Sequence, residues 1–217
     1  MKNIALVLLL FVYTGVFAQS KINTRLKKQL DSVMILDQKY RDTLSLLMDP
    51  IKQDSMAKSL KLSVKQANGH YWTLQDRLDS LNVVFVEDVF KKYGYPGKSI
   101  VDTPTNKVAW FIIQHSPKIH QYIGMMKMAA DENELPFHLY AMMLDRDLMN
   151  EGKEQIYGTQ ISCQKFKKIK DQCIVWPIKD PANVNERRKK AGFPTTVEQN
   201  ATRLDVTYRV IKIEDVK

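Results

Sequence analysis

Between residues 21 and 150, apolar side chains recur at three- and four-residue intervals, the period of a helix with one buried face. Leu30, Val33, Met34, Tyr40, Leu44 and Leu47 form the first such stripe. Asp49-Pro50 interrupts it, because a residue preceding proline avoids helical geometry. The pattern predicts a second, more polar helix to about Gln66, closed by Asn68-Gly69. A third is expected from about Trp72 to Tyr93, burying Trp72, Leu78, Val83, Val86 and Phe90. Gly94 to Ser99, GYPGKS, reads as a turn. Helices follow over 107–115 and 118–131, separated by Ser116-Pro117, and from Pro136, an early helical residue, to about Met149. Beyond Gly152 the period changes. Strand-like runs occupy 156–163 and 173–178, Pro181 starts a short helix that Gly192 ends, and RLDVTYRVIKIEDV reads as an edge strand or a tail. The expected class is mainly α, a helical bundle with a small C-terminal β-hairpin element. Residues 19–70 form an N-terminal helical arm packed on a core of residues 71–217, the two making one structural domain.

The first residues stand apart from this pattern. Met1-Lys2-Asn3 precedes the apolar run IALVLLLFVYTGVFA, and Val16 and Ala18 hold the small-residue spacing of a cleavage site. That arrangement predicts a secretory signal peptide over residues 1–18, cut after Ala18. The run is short for a membrane-spanning helix, and the cleavage region has no cysteine to carry a lipid. A periplasmic or secreted protein is expected, with no transmembrane segment after cleavage. The whole chain has 33 basic and 24 acidic residues, net +9, and losing Lys2 lowers this to +8. This balance favours acidic partners without naming one. Nucleic acid is a poor fit for an exported chain that carries no recognition motif. Cys163 and Cys173 are the only cysteines. In an exported chain they are expected to pair as a disulfide across two strands, a structural staple lacking the CxxC spacing of a redox site.

Several polar residues fall on the apolar faces. Arg146 lies with Leu139, Met142, Met143 and Met149, and His115 with Val108, Phe111 and Ile112. Asp37 lies with Leu30, Val33, Met34 and Leu44, and Arg41 is its i+4 neighbour. Asp79 sits between Trp72 and Val86, beside Asn82 and Val83. A buried charge without a partner is costly, so these groups should meet one another or a cavity. One polar cluster inside the bundle is expected, with Asp37, Asp79 and Asp145 as acceptors and Arg41, Arg146 and His115 as donors. A structural network of ion pairs would present the same pattern.

These residues also carry a resemblance. In order along the chain stand Asp37-Gln38 with Arg41, Asp79 with Asn82, GYPG at 94–97, QHS at 114–116 and DR at 145–146. QIYGTQ at 155–160, PIKD at 177–180 and VNERR at 184–188 follow. Together they resemble a widespread bacterial family, domain of unknown function 6624, over about residues 30–194. Ser116, Tyr95 and Asn185 replace the family's usual alanine, tryptophan and aspartate. The resemblance brings no activity with it, but its motif residues are largely those the face analysis singles out.

His115 suits acid–base work, because its ordinary pKa lies near neutrality and Asp79 or Asp145 could tune it. Arg146 or Arg187 could clamp a carboxylate or phosphate in two-pronged fashion. Gln114 and Gln160 suit a sugar or an amide. Tyr157, Thr159 and Gln160 offer hydrogen-bonding groups around Gly158, although their alternation also fits a strand packed on the helices. Gln38, Asn82 and Asp180 complete the candidate ligand-binding set. HExxH is absent, and His115 and His120 flank Pro117 without helical ligand spacing, so neither a metal nor any other cofactor is expected. No serine-hydrolase elbow or phosphate loop is present. The leading expectation is an exported binding module for a small anionic or sugar-like ligand. The alternative is a hydrolase or transferase using His115 as general acid or base. A third reading makes the network architectural and puts function at surface contacts such as the lysine-rich tip at 165–170.

Overall fold

Asn23 accepts a hydrogen bond from the Leu26 amide at 3.0 Å and so starts α1 (Thr24–Gln38). In this computed structural model residues 22–166, 169 and 173–216 are described. The expected signal peptide and part of the lysine-rich tip lie outside the described residues. After α1 come α2 (Arg41–Met48), α3 (Gln53–Ser59), α4 (Val64–Tyr93) and the single turn α5 (Lys98–Val101). Then follow α6 (Val108–Gln114), α7 (Ile119–Asp131) and α8 (Phe137–Asn150). A two-stranded antiparallel hairpin pairs β1 (Ile161–Cys163) with β2 (Cys173–Val175), and α9 (Val184–Lys190) and α10 (Val197–Arg203) close the chain. The mainly helical class with a small C-terminal hairpin is therefore observed. Among the described residues no helix is long and apolar enough to cross a membrane.

The principal core lies where α1, α4, α6, α7 and α8 meet, and buries Leu30, Val86, Trp110, Ile113, Met126 and Met143. The Trp110 indole N–H donates to the Leu139 carbonyl at 2.8 Å, so the largest core side chain carries no unpaired polar atom. A second core gathers Val175, Ile178, Val184, Val197, Ala201 and Val206 under the hairpin. A third, smaller one joins Leu47, Ala57 and Ala67 at the foot of the arm.

Several element boundaries differ from the pattern's prediction. Asn68-Gly69 does not end a helix. α4 starts earlier, at a capping box in which Ser63 and Gln66 satisfy each other's backbone N–H groups, and runs for 30 residues. Burial of Ala67 against Leu47 and Ala57 offsets the cost of a helical glycine, about 1 kcal/mol. A boundary at residue 70 therefore cuts through one helix. The strands are shorter than expected, because residues 155–160 are committed to a buried carboxylate. The terminal alternation forms no strand among the described residues and is preceded by an unexpected helix. α10 opens on a second capping box, formed by Thr196 and Gln199. Cys163 and Cys173 stand opposite each other across the hairpin and are disulfide-bonded.

Candidate functional site

α1, α2 and α4 meet at a buried carboxylate. Asp37 is 1 % exposed and accepts from Arg41 Nε and Nη2, each at 3.3 Å, and from Gln38 Nε2 at 2.7 Å. Arg41 Nη2 also reaches Asp79 Oδ1 on α4 at 2.7 Å. Gln75, one turn before Asp79, donates both to that oxygen at 2.7 Å and to the Asp37 carbonyl at 3.1 Å. Four of the expected residues thus form one ion-paired knot, completed by Gln75, which the face analysis missed. Burial raises the Asp79 pKa, against the opposing pull of Gln75 and Arg41. Its Oδ2 accepts from no described group. Gln75 Oε1 and Asn82 Nδ2 are buried without a hydrogen-bond partner, leaving one acceptor and one donor unmatched on the same helix.

His115 follows the last residue of α6. The face analysis puts it in the core, but the chain turns at Ser116-Pro117 and the imidazole is open to solvent. It lines a cavity of about 430 Å³ together with Asp76, Asp79, Val83, Glu87 and Pro117. Lys118 sits at the rim with its charge committed to Glu87 at 2.6 Å. Partial burial pushes the His115 pKa down to about 4, and the charges of Arg41 and Arg146 help while Asp37 opposes. The ring is therefore neutral at neutral pH, offering one N–H and one lone pair.

Arg146 joins this region to the C-terminal part. Its Nη1 donates to the Gln114 carbonyl at 2.8 Å and its Nε to Gln160 Oε1 at 3.2 Å. Its neighbour Asp145 takes a different role from the one expected. Fully buried, it accepts from the amides of Ile156, Tyr157 and Thr159 and from the Thr159 hydroxyl, at 2.7 to 3.2 Å. With both oxygens engaged by four donors, Asp145 anchors the loop and is no partner for His115. Tyr157, Thr159 and Gln160 are accordingly loop residues wrapped on α8, not a strand. Gly158 makes the tightest turn there, at φ +68° with Val197 and Ile178 packed where a Cβ would stand. Gln155 finishes the wrap, holding the Gln160 amide and carbonyl and the Trp176 carbonyl.

The sequence pattern of a family described as a family of unknown function (DUF6624) matches residues 67–212. The chain belongs to this family. No curated protein and no solved structure matches it. Asp37, Gln38 and Arg41 precede the stretch that matches DUF6624, and the other candidate residues lie within it.

Within that stretch, Asp180 and Arg187 do not join the cavity. Arg187 is spent on the carbonyls of Ile156, Lys179 and Asp180 and on the Asp180 carboxylate at 3.0 Å. Arg188, which sequence reasoning passed over, is 1 % exposed. It ties Tyr157 to Thr195 and stacks 4.5 Å over the Phe193 ring. The single cluster expected from the helix faces is thus two assemblies, and Asp180 and Arg187, candidates from outside that cluster, form a third. These are the Asp37–Arg41–Asp79 knot with His115 beside it, the Asp145 loop anchor bridged by Arg146, and the Asp180–Arg187 clasp.

Proposed function

We propose that the protein is an exported binding module whose ligand is a small, neutral, hydroxyl-rich molecule of sugar-like chemistry, seated in the cavity beside Asp79 and His115. The observation that carries this reading is the lining of the cavity. Carboxylates of Asp76, Asp79 and Glu87 accept hydroxyl hydrogens, and neutral His115 offers both a donor and an acceptor. Val83, Val84 and Pro117 supply an apolar wall for the C–H face of a ring. Of the two ligand classes in question, the anion is the poorer fit. Three carboxylates face the space, Lys118 is already paired, and Arg41 is committed to Asp37 and Asp79.

A second reading is hydrolysis at the same place. It is favoured by the opposite displacement of two neighbouring groups, Asp79 upward and His115 downward. A histidine with pKa near 4 is nevertheless a weak base at neutral pH, which ranks this reading below binding. Export is supported by the leader-like residues 1–18 and by the Cys163–Cys173 bridge.

The test is saturation-transfer difference NMR with glucose, N-acetylglucosamine and cellobiose, with inorganic phosphate and acetate titrated in parallel. Transfer to a sugar that disappears in Asp79→Asn and His115→Ala supports the proposal. Shifts at the cavity with phosphate or acetate alone would reverse the choice of ligand class. Release of p-nitrophenol from an aryl glycoside, abolished by His115→Ala, would promote the enzyme.

A further inference from the structure

On the α7–α8 pair, His120 near the start of α7 meets Asp147 in the last turn of α8 and Glu151, the residue after it. His120 Nδ1 lies 3.2 Å from Asp147 Oδ2 and 3.5 Å from Glu151 Oε1, and the three atoms all fall within 4.8 Å of one another. Asp147 and Glu151 are four residues apart, so the helix itself projects both carboxylates to one side.

The distances have a specific meaning. Ligand atoms bound tetrahedrally at ~2.0–2.1 Å from an ion stand roughly 3.3–3.4 Å apart. Both separations from Nδ1 bracket that value. A second observation is independent of them. Asp147 is only 7 % exposed, yet among the described residues it pairs with no lysine or arginine, and its carboxylate has His120 as its one hydrogen-bond and ion-pair partner. A carboxylate so largely removed from water is stabilised by a nearby cation. Lys153 acts on Asp147 only at a distance, because its ammonium is held 2.6 Å from Glu151 Oε2, which leaves Oε1 turned to the histidine.

We propose that His120 Nδ1, Asp147 Oδ2 and Glu151 Oε1 bind a divalent first-row transition ion of the zinc class. One imidazole with two carboxylates suits such an ion better than calcium or magnesium, which take oxygen ligands almost exclusively. His120 is largely exposed, so its side of the site is open and water completes the coordination. The ion neutralises Asp147 and cross-links the start of α7 to the end of α8. The site shares no residue with the His115 cavity and stands whether or not that cavity takes a sugar.

Isothermal titration of ZnCl2 into the tag-free chain from Gln19 tests this, with MgCl2 and CaCl2 as comparisons. One equivalent of zinc should bind, with the thermal midpoint rising in its presence. His120→Ala and Glu151→Gln should each weaken binding at least ~10-fold, since even outer-shell partners contribute that much. Both residues are exposed, so their replacement leaves the fold intact where Asp147→Asn could disturb it. Absence of stoichiometric uptake overturns the proposal. So does uptake undiminished in His120→Ala, which would place the ion elsewhere, and so does equal affinity for magnesium, which would leave the imidazole without a role.

Discussion

The imidazole of His115 is a poor place for a proton. Partial burial strips water from it, and Arg41 and Arg146 repel a third positive charge, while only Asp37 pulls the other way. The pKa falls from 6.5 to about 4, so folding favours the neutral ring. A depressed folded-state value contributes stability that is complete above the unfolded pKa and is lost as pH falls through the folded one. The window is therefore about pH 6.5 down to about pH 4. Because the ring is open to solvent, the contribution is on the order of 1 kcal/mol or less after screening. We expect the His115 ring resonances to titrate with a midpoint well below 6 in a 1H–13C NMR series. In His115→Gln, unfolding free energy should fall less steeply over the same window than in the parent. An ordinary midpoint near 6.5 would show that neither burial nor the two arginines disfavours the charged ring, and would restore it as a base for catalysis near neutrality. At this scale the sequence was informative about burial and less so about partners. Asp37 is buried, as helical projection indicates, whereas at 145–146 the projection singles out Arg146 and it is Asp145 that is fully buried. That projection says nothing about what each one meets. Asp145 meets backbone amides of a loop 11 to 14 residues away, and no periodicity records them. His115 was misplaced because it follows the last helical residue, where the three-and-four rule no longer aims a side chain.

Helices announce themselves by apolar stripes, and those of α6, α7 and α8 are placed by the sequence to within a residue or two. Errors arise where a local signal competes with packing or where a cap carries the information. At Asn68-Gly69 the breaker residues point to an end, yet Ala67 is sealed against Leu47 and Ala57, and the helix continues. In α10 the apolar stripe is thin, and the readable signal is the Thr196–Gln199 box. The 155–160 segment alternates like a strand but spends its amides on Asp145 and Gln155, so only three residues remain to pair on each side of the hairpin. The continuity of α4 gives a sharp expectation. A Cβ on Gly69 meets nothing within 4 Å, and its backbone is helical. Gly69→Ala should therefore stabilise the protein by about 0.5–1 kcal/mol, read as a higher urea midpoint at unchanged slope. A lower midpoint would mean that α4 is really two helices with a working hinge at that glycine.

For the whole molecule, the stretch that matches DUF6624 and the packed core do not have the same limits. The match begins at Ala67, inside α4 and after α1, α2 and α3. Yet α1 buries Leu26 and Leu30 in the principal core, and α2 buries Leu44 and Leu47. The arm also supplies Asp37 and Arg41, without which Asp79 loses its guanidinium partner and Gln75 loses the Asp37 carbonyl. Each buried leucine is worth about 1.5–3 kcal/mol, so four of them approach the ~5–15 kcal/mol by which a whole domain is stable. Removing the arm also bares the faces of α4 and α6 that α1 covers, and places the uncompensated Asp79 at the edge of the His115 cavity. A chain beginning at Val64 is expected to keep much of its far-ultraviolet helical signal but to lose a cooperative thermal transition, with its near-ultraviolet signal collapsed. Adding residues 22–63 back as a separate peptide should restore part of the transition, because the lost contacts lie along α1 and α2. If the shortened chain instead melts sharply near the parent midpoint, the matched stretch is self-sufficient. Asp37 and Arg41 would then be accessories laid over a completed fold, and the ion-paired knot would have to be explained by the ligand it helps to hold.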